Sequence, residues 1–190
     1  PSINRKNNQL ITTASADVPL KGLIFLIRAY ADLLKEFPDL ELLVIGRLRE
    51  GPTDQELKKE GIKEKVKFIS DLTGRQIAEL YAESTIAVSP SVYEGFGFPA
   101  GEAMSCGIPL ISTNGGSLPE VVGDAAIVVP HSNPKALKDA IKLLLKSPEK
   151  RLDLGNRGRK RVLEKFTWKR AAKELVEVYR EAIENANNRS

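Results

Sequence analysis

This 190-residue sequence predicts a doubly wound parallel α/β sheet with C-terminal helices. Three observations point there. Short runs rich in Val, Ile and Leu alternate five or six times with segments of helical period, as parallel strands joined by crossover helices require. The clearest run, residues 86–88 (Ile-Ala-Val), has no polar member, as expected of a strand buried on both faces. A glycine-rich loop and then a helix follow it, and in such sheets ligands bind outside the carboxyl ends of the strands.

Residues 10–14 read as the first strand and 12–19 lead through a small-residue loop to Lys21-Gly22, which opens a helix. Leu23, Leu26, Ile27, Tyr30, Leu33, Leu34 and Phe37 recur on one face of that helix, and Pro38 breaks it. Residues 40–45 form a second strand. Thr53 or Asp54 caps a short helix through Lys59, residues 66–69 form a third strand, and Asp71 or Thr73 caps a helix through Ala82. Pro90 ends the strand at 86–88. Pro99 suits a first helical position, because its missing N–H would have no intrahelical partner there. That helix stops at Gly107, and 108–111 is the next strand. Residues 126–129 form a last short strand. Asn133-Pro134 starts a helix through Lys146, Ser147-Pro148 another to about Phe166, and a final one runs from near Thr167 to about Asn185. The whole chain, 1–190, is expected to be a single domain with 148–190 as a helical appendage.

At 42% apolar and 28% charged residues, the composition is that of a soluble globular protein. No apolar run approaches the roughly 20 residues of a membrane span, and the polar N-terminus has no signal-peptide pattern. The absent initiating Met suggests a processed chain or a fragment. A single cysteine excludes an internal disulfide and fits a reducing, cytoplasmic setting. The net charge of +4 is unevenly spread: residues 135–190 hold 16 Lys+Arg and 8 Asp+Glu. Solvated helix faces explain this tail best. Peripheral contact of the basic C-terminal helices with an anionic membrane is the sharper alternative. No aromatic-studded strand suggests base stacking, so no nucleic-acid partner is expected.

Residues 86–112 carry the chemistry. Glu94 lies in the loop past a strand's carboxyl end and Glu102, eight residues on, in the first turn of the next helix. First-turn amides favour an anion between them. Gly95 and Gly97 let backbone approach a ligand without a Cβ in the way. The stretch thus offers amide donors for phosphate and carboxylates for hydroxyls, the two kinds of group a nucleotide-diphosphate sugar presents.

The run Glu94-Gly-Phe-Gly-Phe-Pro-Ala-Gly-Glu102-Ala-Met-Ser-Cys-Gly-Ile-Pro-Leu-Ile-Ser-Thr, then Gly115-Gly116 and Leu118-Pro119-Glu120-Val121-Val122, resembles the Glu-x7-Glu region of retaining glycosyltransferases of family 4, also called group 1. The resemblance implies one Rossmann-like half of a GT-B fold: the C-terminal domain that binds the nucleotide-sugar donor. It implies a hexosyltransferase-like, retaining enzyme whose N-terminal acceptor-binding domain is missing, so that the isolated chain is inactive or nearly so. By the same resemblance, Lys21 binds the diphosphate, Glu94 faces the donor sugar in the catalytic position and Glu102 holds the ribose diol. Phe96, Gly97 and Phe98 offer backbone amides, Ser70-Asp71-Leu72 lies where the base is wrapped, and Glu120 belongs to a matching loop. An arginine usual about five residues before the lysine is missing from Ala14-Ser15-Ala16-Asp17, and Arg47 is a candidate substitute. Gly101 replaces a bulkier apolar residue.

Charge neutralisation by Lys21 and helix termini makes a metal unnecessary, no Asp-x-Asp pair is present, and no cofactor is expected. His131 reads as a loop residue, Cys106 as a small buried residue without nucleophilic activation, and Trp168 as a packing anchor for the last helix. Three rivals weigh less. Gly95-x-Gly97-x-x-Ala100 matches a dinucleotide fingerprint formally, but Pro99 interrupts it and the glycines do not follow the first strand. A glycosidase pair would need carboxylates across a cleft rather than flanking a helix start. A non-catalytic nucleotide-sugar-binding or interaction module is the remaining alternative.

Overall fold

The computed structural model describes residues 5–14 and 18–187. Within them lie β1 (Gln9–Thr13), α1 (Leu23–Leu34), β2 (Glu41–Ile45), α2 (Pro52–Lys59), β3 (Val66–Ile69), α3 (Gly74–Glu83), β4 (Ile86–Ser89) and α4 (Phe98–Ser105). The chain continues through β5 (Leu110–Thr113), α5 (Leu118–Val122), β6 (Ile127–Val129), α6 (Pro134–Lys146), α7 (Pro148–Lys165) and α8 (Trp168–Asn187). The strands form one sheet in the order β3-β2-β1-β4-β5-β6, and every pairing is parallel. The order reverses between β1 and β4, so the crevice for a ligand opens above that pair. The Rossmann-like doubly wound sheet read from the alternating pattern is therefore the fold.

Alternate residues of each strand feed two cores. Leu10, Val44, Ile86, Val88 and Ile111 pack with α1, α6 and Leu57 of α2 on one face. Ile11, Leu43, Ala87 and Leu110 pack with Tyr81 of α3 and with Ala100, Ala103, Met104, Leu118 and Val122 on the other. Tyr30 ties the first core to the sheet's amino edge: its hydroxyl donates to the Leu40 and Lys65 carbonyls at 2.7 and 3.0 Å, and burial pushes the phenol up to about 12. α7 lies against α4, where Gly155 and Gly158 allow close approach; a Cβ on Gly155 would overlap the Gly107 carbonyl. Arg161 secures the same helix to α5 by donating to the Glu120 and Val121 carbonyls.

Several boundaries differ from the pattern. Neither Thr53 nor Asp54 caps α2: Gly51 holds the cap position because Pro52, with its preset φ, starts the helix. Asp54 is buried and ion-paired to Lys58 and Lys63 instead. Thr73, not Asp71, caps α3, in a reciprocal capping box with Gln76. The helix from Gly22 ends at Leu34, short of Phe37. Phe98 takes the first position of α4 and Pro99 the second, and β5 starts at Leu110 rather than 108.

α8 leaves the body of the domain. None of its residues is buried, and Leu175, Tyr179 and Ile183 stand exposed on its apolar stripe. Trp168, expected to anchor that helix, is instead 91% exposed. Many basic residues of the C-terminal half pair with acids one helical turn away, among them Lys135–Asp139, Arg157–Asp153 and Arg170–Glu174, which supports solvated helix faces. Among the described residues no helix is long and apolar enough to cross a membrane.

Two alanine substitutions should act in opposite directions. Gly155→Ala forces α7 away from α4 and should cost about 1–3 kcal/mol. Gly101→Ala meets open space inside α4 and should stabilise by about 0.5–1 kcal/mol. Denaturant midpoints of the two variants check both signs.

Candidate functional site

β1 and β4 are hydrogen-bonded neighbours, so the loops that leave their carboxyl ends emerge side by side. The first loop folds into a single 3-10 turn over Pro19–Lys21. Gly22 follows in the left-handed region at φ 64°, and its α-carbon lies so close to the Pro90 carbonyl that a Cβ would overlap it. Lys21 therefore closes this turn ahead of α1 rather than sitting inside the helix, since glycine's left-handed backbone resets the chain direction at that point. The Val92 amide donates to the Leu20 carbonyl at 2.8 Å, locking the two loops together.

This packing brings Lys21 Nζ to 2.7 Å from Glu94 Oε1. The same oxygen accepts Ser91 Oγ at 2.8 Å. Behind Glu94, the loop after β5 grips the backbone: the Ser117 amide and hydroxyl donate to the Glu94 carbonyl at 3.0 and 3.1 Å. Gly116, at φ 61°, touches the Glu94 backbone where any Cβ would collide. Ser91 is held in turn by its carbonyl, which accepts the Thr113 hydroxyl. Glu94 is thus fixed at its backbone and its carboxylate, while Lys21 reaches it on a flexible four-carbon chain.

Gly97 adopts φ 93° and caps α4, whose N-terminus opens beside this pair with its partial positive charge. Glu102 lies in the second turn of α4, not the first, because the helix begins at Phe98. It borders an apolar groove of about 420 Å³ with Phe96, Phe98, Phe166 and Trp168. Glu102 is itself exposed at the rim of this groove, and partial desolvation there raises its carboxyl above the usual range. Phe96 packs on Phe98 at 4.8 Å and edge-on to Phe166 at 5.7 Å, joining the glycine-rich loop to the end of α7. Tyr81 reaches under α4: its hydroxyl is 2.7 Å from Thr13 Oγ1, and burial raises its phenol.

The other expected residues are more dispersed. Arg47 and Asp71 leave β2 and β3 at the same sheet edge and pair with each other at 2.7 Å, both exposed. Leu72 beside them packs on the second core. Glu120 is exposed on α5 and borders a smaller hollow with Gly95 and Phe96. His131 is an exposed loop residue, and Cys106 is half-buried with its thiol raised by that burial. Residues 15–17, where an arginine was expected, lie outside the described residues.

Ser91, Ser117, Tyr81 and Phe166 also shape the site, and none of them stands out in the sequence as a functional residue. Ser91 has only its place three residues before Glu94 and directly after Pro90 as a local signal; the others act through tertiary contacts. A larger hollow of about 760 Å³ lies at the opposite, amino edge among residues 38–43 and 63–67. It has basic and acidic walls, and the helix that starts in its lining is a single 3-10 turn over Lys63–Lys65. Among the described residues no three His, Cys, Asp or Glu side chains converge as a metal site.

Comparison with known proteins agrees with this architecture. Residues 2–161 match the family Glycosyl transferases group 1. The chain is 40% identical over 187 residues to the MMP alpha-(1->4)-mannosyltransferase of Mycolicibacterium hassiacum, covering 96% of this chain and 45% of that protein. Sucrose-phosphate synthase of Thermosynechococcus elongatus superposes with a TM-score of 0.80 at 26% identity, over 94% of this chain and 46% of the other. The C-terminal domain of a group 1 glycosyl transferase from Francisella tularensis gives 0.74 at 26% identity, over 87% of this chain and 89% of that one. The chain spans less than half the length of the curated relative it matches. With a family match across most of its length, this chain belongs to the group 1 glycosyl transferases.

Proposed function

We propose that this chain is the donor-binding, C-terminal half of a metal-independent, retaining family 4 glycosyltransferase. It would hold a nucleotide-diphosphate sugar while the missing N-terminal half supplies the acceptor. The observation that carries this reading is the convergence of Lys21, Glu94 and the α4 N-terminus at the β1/β4 switch point. Resemblance to the Francisella C-terminal domain supports the assignment to a half, since the two chains cover each other almost fully.

In this reading, the diphosphate lies between Lys21 and the α4 amides, and both offset the charge that grows on the leaving phosphate. Glu94 accepts from hydroxyls of the sugar and orients its reacting carbon. Glu102 accepts from the two ribose hydroxyls, an arrangement suited to a carboxylate with two oxygens. Asp71, Leu72 and Arg47 border the base. The acceptor attacks on the face the phosphate leaves, and that phosphate takes the acceptor's proton. The exposed stripe of α8 would be covered by the other half, and the isolated chain would bind donor without transferring sugar.

Calorimetric titration with UDP, GDP and ADP, each in EDTA and again in Mg²⁺, tests the site. One diphosphate should bind in EDTA. Lys21→Ala and Glu102→Ala should each weaken it by about 1.5–3 kcal/mol, the scale of charge-assisted hydrogen bonds. Unchanged affinity in both variants would put the pocket elsewhere. A separate pH signature follows from Glu102. Partial desolvation raises its carboxyl in the folded chain although the residue stays exposed, so folding slightly favours the protonated form. The cost of ionising it is absent below the unfolded pKa and complete above the folded one. Glu102→Gln should therefore raise Tm slightly at neutral pH, with the gain fading below about pH 4.

A further inference from the structure

We propose that Lys21 and Glu94 form an exchangeable ion pair that selects the sugar-loaded donor over the spent nucleoside diphosphate, an inference that rests on the donor-site reading above. Lys21 Nζ is only 2.7 Å from Glu94 Oε1, so the cation meant for phosphate is occupied before a ligand arrives. The two partners are not equally free. Glu94 has a side chain only 12% exposed, a backbone gripped by Gly116 and Ser117, and a second hydrogen bond from Ser91. The Lys21 side chain is 30% exposed and rooted in a one-turn loop. An entering diphosphate must therefore draw Lys21 away while Glu94 stays in place.

That exchange leaves a largely buried carboxylate facing an anion, with Ser91 as its remaining donor. Such a group is costly unless a new donor reaches it. A sugar on the diphosphate brings hydroxyls that donate to the vacated Glu94 oxygen. A bare diphosphate brings none. The pair thus favours the loaded nucleotide, and once the sugar has left it reforms and helps expel the product. Ser91 acts as a positioning residue that keeps Glu94 aimed at the sugar throughout.

A double-mutant cycle on the whole chain tests this, with UDP, GDP, ADP and inorganic pyrophosphate as bare ligands and UDP-glucose, GDP-mannose and ADP-glucose as loaded ones. Folding of each variant is checked by its thermal transition. Glu94→Gln keeps the shape but releases Lys21. It should tighten the bare diphosphate about fivefold while weakening its sugar conjugate, which collapses the preference. Simple removal of a repelling charge would also tighten the bare ligand, so the same substitution is made in Lys21→Ala, where the gain should fall below about twofold. An equal gain in both backgrounds, or no gain in either, overturns the exchange while the donor site stands. If neither the original chain nor Glu94→Gln binds any of these ligands, the donor-site reading fails and the exchange fails with it.

Discussion

β1 and β4 lie side by side at the centre of the sheet although β2, β3 and the helices α1, α2 and α3 intervene along the chain. That one pairing places the turn ending in Lys21 against the loop bearing Glu94, and it demands backbone contact at Gly22 and Pro90 that no side chain would permit. The ion pair, the position of the α4 N-terminus and the clamp from the β5–α5 loop all follow from it. Each sheet neighbour contributes one loop: Lys21 after β1, Glu94 after β4, Ser117 after β5. A charge cluster that would be weak on an open surface becomes ordered because three rigid strands end beneath it.

Rigidity and readiness are divided between the two members of that pair. Glu94 is fixed from both sides, whereas Lys21 is held by a short turn and can move. Glu102 shows a related tension, since its carboxylate borders phenylalanines where the charged form is disfavoured. Glu102 nonetheless stays exposed, so water offsets most of that penalty. α4 itself is anchored by Met104 against Gly158 and by Tyr81, whose hydroxyl meets the Pro99 carbonyl in its first turn.

Much of this was legible in the sequence because the signals are local. Unbroken apolar runs marked the central strands, and Asn133-Pro134 marked the start of α6, where the Asn133 side chain does accept from the Ala136 amide. The glycine-rich loop and its two glutamates located the site edge. What escaped was set by contacts between distant residues. Lys21 had the signature of a helix start, but its place depends on how Gly22 meets Pro90. Asp54 looked like a cap, yet Lys63 beyond the helix captures it. Arg47 looked like a spare phosphate ligand, and Asp71 from the next loop pairs with it. Trp168 looked like an anchor because an aromatic opening an amphipathic helix usually packs inward, and nothing local shows that α8 departs from the domain.

The central claim is that a nucleotide diphosphate binds at the β1/β4 switch point. Backbone amide chemical-shift mapping of the chain during titration with UDP, GDP and ADP tests it most directly. One of the three should shift the amides of Lys21, Gly22, residues 94–98 and residues 100–102 together. Shifts confined to residues 38–43 and 63–67, around the hollow at the opposite edge of the sheet, would contradict it.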